Sequence, residues 1–200
     1  MSKKGVIFDW GGVLMRTVDP SGRRKWEHKL GLPPNAVDRA VHGSRSWRQA
    51  QSGIISDEEY WADVSDQLGL DEVQLAEFRR DYFGGDQLDE EMVRFIRGLR
   101  PAHRTALLSN ASPQLTELLE QLGVTDAFDV VVISGLVGVQ KPDPAIYQIV
   151  LERLGLLPEE TIFVDDFIEN IEAARDLGMD TLHFRAGMEW RGDLERQLGQ

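Results

Sequence analysis

The 200-residue sequence predicts an α/β fold, a doubly wound and mainly parallel sheet with an inserted all-helical domain. Three observations predict it. Short runs that are apolar throughout recur along the chain. The stretches between the later runs carry helix start and stop residues. Between the first run and the rest lies a segment with helical periodicity and no strand-like run.

The predicted strands cover residues 5–9, 104–109, 130–133, 161–164 and 180–184. Continuous rather than alternating apolarity is what a sheet covered on both faces requires. Ser112 with Pro113 reads as one helix start and Gly123 as its end. Asp143 with Pro144 starts the next, which Gly155 closes, and the 168–177 stretch ends at Gly178. Ser or Asp offers an acceptor to the first free N–H groups, and Pro tolerates the missing donor.

Residues 16–85 read as the helical insertion, leaving 1–15 and 86–200 as the α/β core. Ser56 and Glu59 form a capping-box pattern, Asp71 opens a further helix, and Gly84-Gly85 stops it. Leu32-Pro33-Pro34 separates two earlier helices, with Trp26 and Trp47 expected to pack between them. An insertion of about 70 residues far exceeds the roughly 2–6 of an ordinary βα loop. It leaves the chain just after the first strand, at the sheet edge where α/β proteins bind ligands, and so predicts a mobile lid.

Composition narrows the function. The chain has 22 basic and 34 acidic residues, a formal net charge of −12, which argues against nucleic-acid or polybasic membrane partners. It has no cysteine, so disulfides, thiolate metal sites and cysteine nucleophiles are excluded. No apolar run has the length of a membrane span, and Asp9 interrupts the first one too early for a signal peptide. A soluble, cytoplasmic protein is expected. The acidity is uneven: residues 16–48 hold eight basic residues against three acidic, which predicts a basic lid over an acidic body.

Four strand ends carry candidate chemistry. Asp9 ends the first strand, and Gly11-Gly12 let the backbone turn and approach a ligand. Ser109 and Asn110 end the second, where a hydroxyl and an amide can bind an anion. Lys141 stands between a glycine-containing loop and a proline-started helix, placed to neutralise a phosphoryl group. Asp165 and Asp166 end the fourth strand, where adjacent carboxylates need a cation between them; sparse hard oxygen ligands suit Mg²⁺.

In this order, with Lys141-Pro142-Asp143 ahead of Ile146-Tyr147 and Val164-Asp165-Asp166 at a strand end, the whole chain resembles the haloacid dehalogenase-like (HAD) hydrolase superfamily. The resemblance implies a helical cap after the first strand and a Mg²⁺-dependent phosphatase acting on a small phosphorylated metabolite. It implies Asp9 as nucleophile and Ser109 and Asn110 as phosphate-binding groups, with Lys141 as charge neutraliser. It makes Asp166 a direct metal ligand, Asp165 a support beside it, and the Gly11 backbone carbonyl a metal contact, with Asn170 near the same loop. Arg45, Trp47 and Arg48 of the cap become candidate substrate-binding residues.

One position departs from the pattern. Phosphatases of the superfamily usually carry a second Asp two residues after the nucleophile, as general acid and base, and this chain has Gly11 there. Some members similar to sugar-1-phosphate phosphatases and to the phosphatase domains of epoxide hydrolase-like proteins share a glycine-containing loop. Three consequences are open: another group such as His28, His42, Glu27 or water supplies the proton, the leaving group needs little help, or turnover is weak. A catalytically silent binding or regulatory protein is therefore one alternative reading. The other is a 2-haloacid dehalogenase, which typically has Tyr-Gly-Thr where this chain has Gly11-Gly12-Val13 and lacks the acidic pair. Oligomeric state is not legible.

Overall fold

The computed structural model describes residues 3–100 and 102–199. Five parallel strands form the main sheet: β1 (Gly5–Phe8), β4 (Arg104–Ser109), β5 (Val130–Ile133), β6 (Thr161–Asp165) and β7 (Asp180–His183). Their spatial order is β5-β4-β1-β6-β7. The chain builds outward from β1 on one side and then crosses to β6 on the other, so the switch in strand order brings the C-terminal ends of β1, β4 and β6 together.

The predicted strands sit where expected, to within a residue at each end. Their apolar runs are explained by burial on both faces. In β1, Val6 and Phe8 pack into one core and Ile7 into the other; Leu107 and Leu108 of β4 divide in the same way. Helices α6 (Glu90–Leu99), α7 (Leu115–Gln121) and α11 (Trp190–Leu198) contribute to the first core. Helices α9 (Pro144–Leu154) and α10 (Ile168–Asp176) contribute to the second, and the one-turn α8 (Ser134–Val137) follows β5. Asp143 caps α9 as expected, accepting from Ala145 N at 2.9 Å. The start of α7 is a correction: Ser112 and Pro113 form a turn whose carbonyls accept from Leu115 and Thr116, and the helix begins at Leu115.

Helices α1 (Ser21–Leu30), α2 (Ala36–His42), α3 (Arg45–Ala50), α4 (Asp57–Leu68) and α5 (Glu72–Phe83) occupy the insertion. They enclose an apolar cluster of their own, with Trp26, Tyr60, Phe78 and Tyr82 almost fully buried. The Ser56–Glu59 capping box forms in both directions at 3.1 and 2.8 Å. Both tryptophans join this apolar cluster, which also takes in Val37 and Val41 of α2. Trp26 meets Phe78 of α5 edge-on at 5.4 Å, and Trp47 lies against His42 and Tyr60 at 5.1 and 5.3 Å.

The start of the insertion departs from the strand-free reading, because Arg16 and Thr17 belong to a short strand. β2 (Met15–Thr17) and β3 (Asp86–Leu88) pair antiparallel at its root, with Met15 opposite Leu88 and Thr17 opposite Asp86. Both strands are short and only half-buried, so neither has the continuous apolar signature of the main sheet. Arg23 of α1 fastens to this ribbon, with Nη2 donating to Thr17 Oγ1 at 2.6 Å and to Asp86 at 3.0 Å.

Candidate active site

Asp9 stands one residue beyond β1 and is buried. Its Oδ1 accepts from Trp10 N at 2.7 Å and from Lys141 Nζ at 2.8 Å. Lys141 is equally buried and has two further acceptors, Asp165 Oδ2 at 2.7 Å and the Leu108 carbonyl at 3.0 Å. Parallel pairing explains the convergence: Phe8 lies opposite both Leu107 and Val164, so the residues just past β1, β4 and β6 meet at one edge.

The two adjacent aspartates have different environments. Asp165 is fully buried and saturated: besides Lys141 it accepts from Phe167 N at 2.8 Å and from Asn170 Nδ2 at 3.0 and 3.1 Å. Asp166 is half-buried, and its Oδ1 is shielded from solvent without any hydrogen-bond partner. His183 Nε2 lies 3.0 Å from the Asp166 backbone carbonyl.

One lysine faces more than one carboxylate here, and the acid–base balance shows the excess. Burial raises the Asp9 carboxyl to about 7 against the lowering pull of Lys141, and Asp165 adds to the rise. Burial, followed by repulsion from Asp165, lifts Asp166 to about 6. Burial alone would lower Lys141, but Asp9 and Asp165 outweigh it and hold the ammonium above its ordinary value.

Carboxylate oxygens of Asp9, Asp165 and Asp166 come within 4.8 Å of one another. Together with the unpartnered Asp166 Oδ1, this all-oxygen donor set fits a hard divalent cation such as Mg²⁺. Gly12 belongs to the same cradle. Its φ is +76°, and a Cβ there would fall 2.0 Å from Asp166 Oδ2. Gly11 is different: it is exposed, and a Cβ would meet nothing within 4 Å. Of the two glycines, only Gly12 is required by the backbone.

Ser109 is buried at the end of β4. Asn110 follows it, and its amide is paired with the Lys141 backbone: Oδ1 accepts from Lys141 N and Nδ2 donates to Lys141 O, both at 2.8 Å. The cap candidates divide into an aromatic and two cations. Trp47 packs inside the cap, and Arg45 and Arg48 are exposed. His42 is held between Trp47 and Tyr82, 3.2 Å from the Tyr82 hydroxyl, and His28 is exposed on α1. Glu27 is buried among the cap helices. Among the described residues none of these three hydrogen-bonds a member of the carboxylate cluster.

Half of the lid's eight basic residues are engaged in ion pairs. Arg16, Arg23, Lys25 and Lys29 pair with Asp89, with Asp38 and Asp86, with Asp81 and with Glu77.

Two residues that reach between cap and core were not singled out by sequence. Gln51, just past α3, donates to the Asn110 carbonyl at 2.7 Å, and Gln140 donates to the Arg48 carbonyl at 2.8 Å. Gln140 could have been found from its place immediately before Lys141. Gln51 carries no such signal. At the same seam a Cβ on Gly53, whose φ is +67°, would fall 2.4 Å from the Gly135 carbonyl oxygen, so the cap is docked closely on the core.

Residues 3–178 match the family model described as haloacid dehalogenase-like hydrolase. The chain is 28% identical over 201 residues to the D-ribitol-5-phosphate phosphatase of Bacteroides thetaiotaomicron, covering 96% of each protein. It is 37% identical over 187 residues to the phosphorylated carbohydrates phosphatase of Thermotoga maritima, covering 90% of this chain and 84% of that one. A HAD family enzyme from Bacteroides thetaiotaomicron, solved with magnesium and inorganic phosphate, superposes with a TM-score of 0.80 at 22% identity, over 95% of this chain and 98% of that one. No helix among the described residues is long and apolar enough to cross a membrane. With strand order, carboxylate cluster and sequence in agreement, the chain belongs to the haloacid dehalogenase-like hydrolase family.

Proposed function

We propose that this chain is a cytoplasmic Mg²⁺-dependent phosphomonoesterase of small phosphorylated metabolites, working through an aspartyl-phosphate on Asp9. The observation that carries the reading is the buried cluster of Lys141 with Asp9 and Asp165, beside Asp166 with its unpartnered oxygen. The sugar- and polyol-phosphate phosphatases among its relatives support the substrate class.

Asp9 Oδ1 is held by Trp10 and Lys141, which leaves Oδ2 to attack phosphorus in line. The Oδ2–P bond forms as the bond to the leaving oxygen breaks, and the leaving alkoxide takes its proton from water. Water then attacks the same phosphorus, releasing inorganic phosphate and restoring the Asp9 carboxylate. Lys141 and the Ser109 hydroxyl are the groups placed to offset charge on the phosphoryl oxygens. Asp165 holds Lys141 in place and is in turn oriented by Asn170 and Phe167 N. Asp9, Asp166 and the Gly11 carbonyl would hold Mg²⁺, with Asp165 in support. Bound there, the ion supplies positive charge that keeps the carboxylates ionised and offsets the anionic substrate. Arg45 and Arg48 are the exposed cap cations available to a substrate's remote end.

The test is phosphate release from a panel of phosphomonoesters, including sugar phosphates and a nitrophenyl ester, with and without Mg²⁺. Release is expected from wild type only with the metal. In Asp9→Asn it is expected to fall by about 10³-fold or more, as for loss of other catalytic nucleophiles. Equal inertness of both proteins across the panel would overturn the reading.

A further inference from the structure

Cap and core meet through a closed ring of hydrogen bonds that passes through the backbone of Lys141. Gln51 donates Nε2 to the Asn110 carbonyl at 2.7 Å. The Asn110 amide grips the Lys141 residue at both its N–H and its carbonyl, at 2.8 Å each. Gln140, the next residue back, returns to the cap by donating Nε2 to the Arg48 carbonyl at 2.8 Å and to the Ser52 hydroxyl. Ser52 Oγ donates to the same Arg48 carbonyl at 3.0 Å, which closes the ring on the turn that carries Gln51.

Each link is neutral and directional, so each is weak alone and can be broken and remade as the cap moves. The ring and the ion cluster meet in one residue. The ring fixes the backbone of Lys141, while Asp9, Asp165 and the Leu108 carbonyl fix its tip. Undocking the cap would release the turn after β4 and the segment just before Lys141 together.

We propose that Gln51 and Gln140 are positioning residues: Gln51 through Asn110, and Gln140 through the peptide it shares with Lys141, make the placement of Lys141 against Asp9 depend on the docked cap. Cap docking and arming of the nucleophile then become one event. The inference rests on the roles of Asp9 and Lys141 in the proposed reaction and adds to them the coupling that sets their geometry.

The test uses Gln51→Ala, Gln140→Ala and the double variant of the full chain, with Mg²⁺ and p-nitrophenyl phosphate, beside wild type. Each single variant is expected to lose about threefold to tenfold in kcat, the range for one neutral hydrogen bond, with KM for this small ester little changed. The double variant is expected to lose little more than the worse single one, because opening either side frees Lys141. Multiplicative losses, or a change in KM with kcat intact, would overturn the proposal. A second readout does not depend on turnover. The Lys141 amide, which donates to Asn110 Oδ1, is expected to exchange hydrogen faster in either variant while the global unfolding midpoint stays put. Unchanged exchange, or faster exchange that only follows a lowered midpoint, also overturns it. Inactivity of wild type and Asp9→Asn alike would fail the phosphatase reading and leave the exchange measurement to decide the coupling.

Discussion

The sheet edge and the cap of this protein are held together by different forces. At the edge, a buried ammonium and two buried carboxylates sit within hydrogen-bond distance, anchored by backbone N–H and carbonyl groups. In the cap, the buried centre is aromatic and mostly apolar: Trp26, Tyr60, Trp61, Phe78 and Tyr82 contact one another edge-on or tilted. Ion pairs in the cap lie around this centre rather than inside it. The difference teaches where the molecule tolerates change. A charge cluster out of water fails when any member is lost, because the others stay buried without compensation. An aromatic cluster loses area in proportion to what is removed.

Paired substitutions would break the comparison most sharply. Lys141→Met leaves Asp9 and Asp165 buried without their cation, and a cost of about 3–5 kcal/mol is expected, with activity abolished. Trp26→Ala should cost a similar 3–5 kcal/mol by emptying part of the cap centre. The two are told apart by what restores them. Asp165→Asn added to Lys141→Met should recover part of the lost stability, because a buried charge is removed with its partner. The same change added to Trp26→Ala should recover none. Denaturant unfolding of the four proteins reads this directly, and equal effects in both backgrounds would erase the distinction.

The same contrast explains what the sequence makes legible. Asp9, Lys141, Asp165 and Asp166 are readable because parallel strands end in register, so polar residues after apolar runs must converge on one edge. The apolar runs themselves are readable because both faces of the sheet are covered. The β2–β3 ribbon escapes notice because three half-buried residues such as Met15-Arg16-Thr17 carry no periodic signal. Side-chain direction is also invisible. Nothing in Ser109-Asn110 says that the amide will clasp the Lys141 backbone at both its N–H and its carbonyl. Nor does a run of cap cations reveal that Arg23 will meet Asp38 and Asp86 from distant parts of the chain. Order along the chain is a local property, and pairing is not.

Gly11 sharpens the comparison at smaller scale, since it lies at the edge but outside the packed cluster. A Cβ there would meet nothing within 4 Å, so Gly11→Asp is expected to fold as wild type does. It places a carboxyl two residues after Asp9, the proposed nucleophile, as a general acid for the leaving oxygen. General acid help is worth about 10²–10⁴-fold, and an unoptimised group should deliver the lower end or less. The gain should be large for alkyl phosphates and small for nitrophenyl phosphate, whose leaving group departs unaided. A uniform change across leaving groups, measured as kcat/KM, would show that the introduced carboxyl acts otherwise than as an acid.

The smallest expected effect comes from protons alone. In an unfolded chain an Asp titrates near 3.9, whereas folding raises Asp166 to about 6 and Asp9 to about 7. A carboxyl raised on folding favours the native state while protonated, and that contribution is lost as the pH climbs through the folded value. Without metal the protein should therefore lose stability between about pH 4 and pH 7 on this account. His42 works the other way: burial, then Arg23, lowers it, so its contribution is lost as the pH falls through its range. Comparing wild type with Asp166→Asn removes the His42 part, since both proteins keep it. In chelator, the wild-type melting temperature should fall relative to Asp166→Asn as pH rises, by a few degrees if about 1 kcal/mol is involved. Added Mg²⁺ needs ionised carboxylates, so its stabilisation of wild type should be large near pH 8 and slight near pH 5. Parallel melting curves across this window would mean that Asp166 is not strained by its surroundings and that the edge is no more sensitive to charge than the cap.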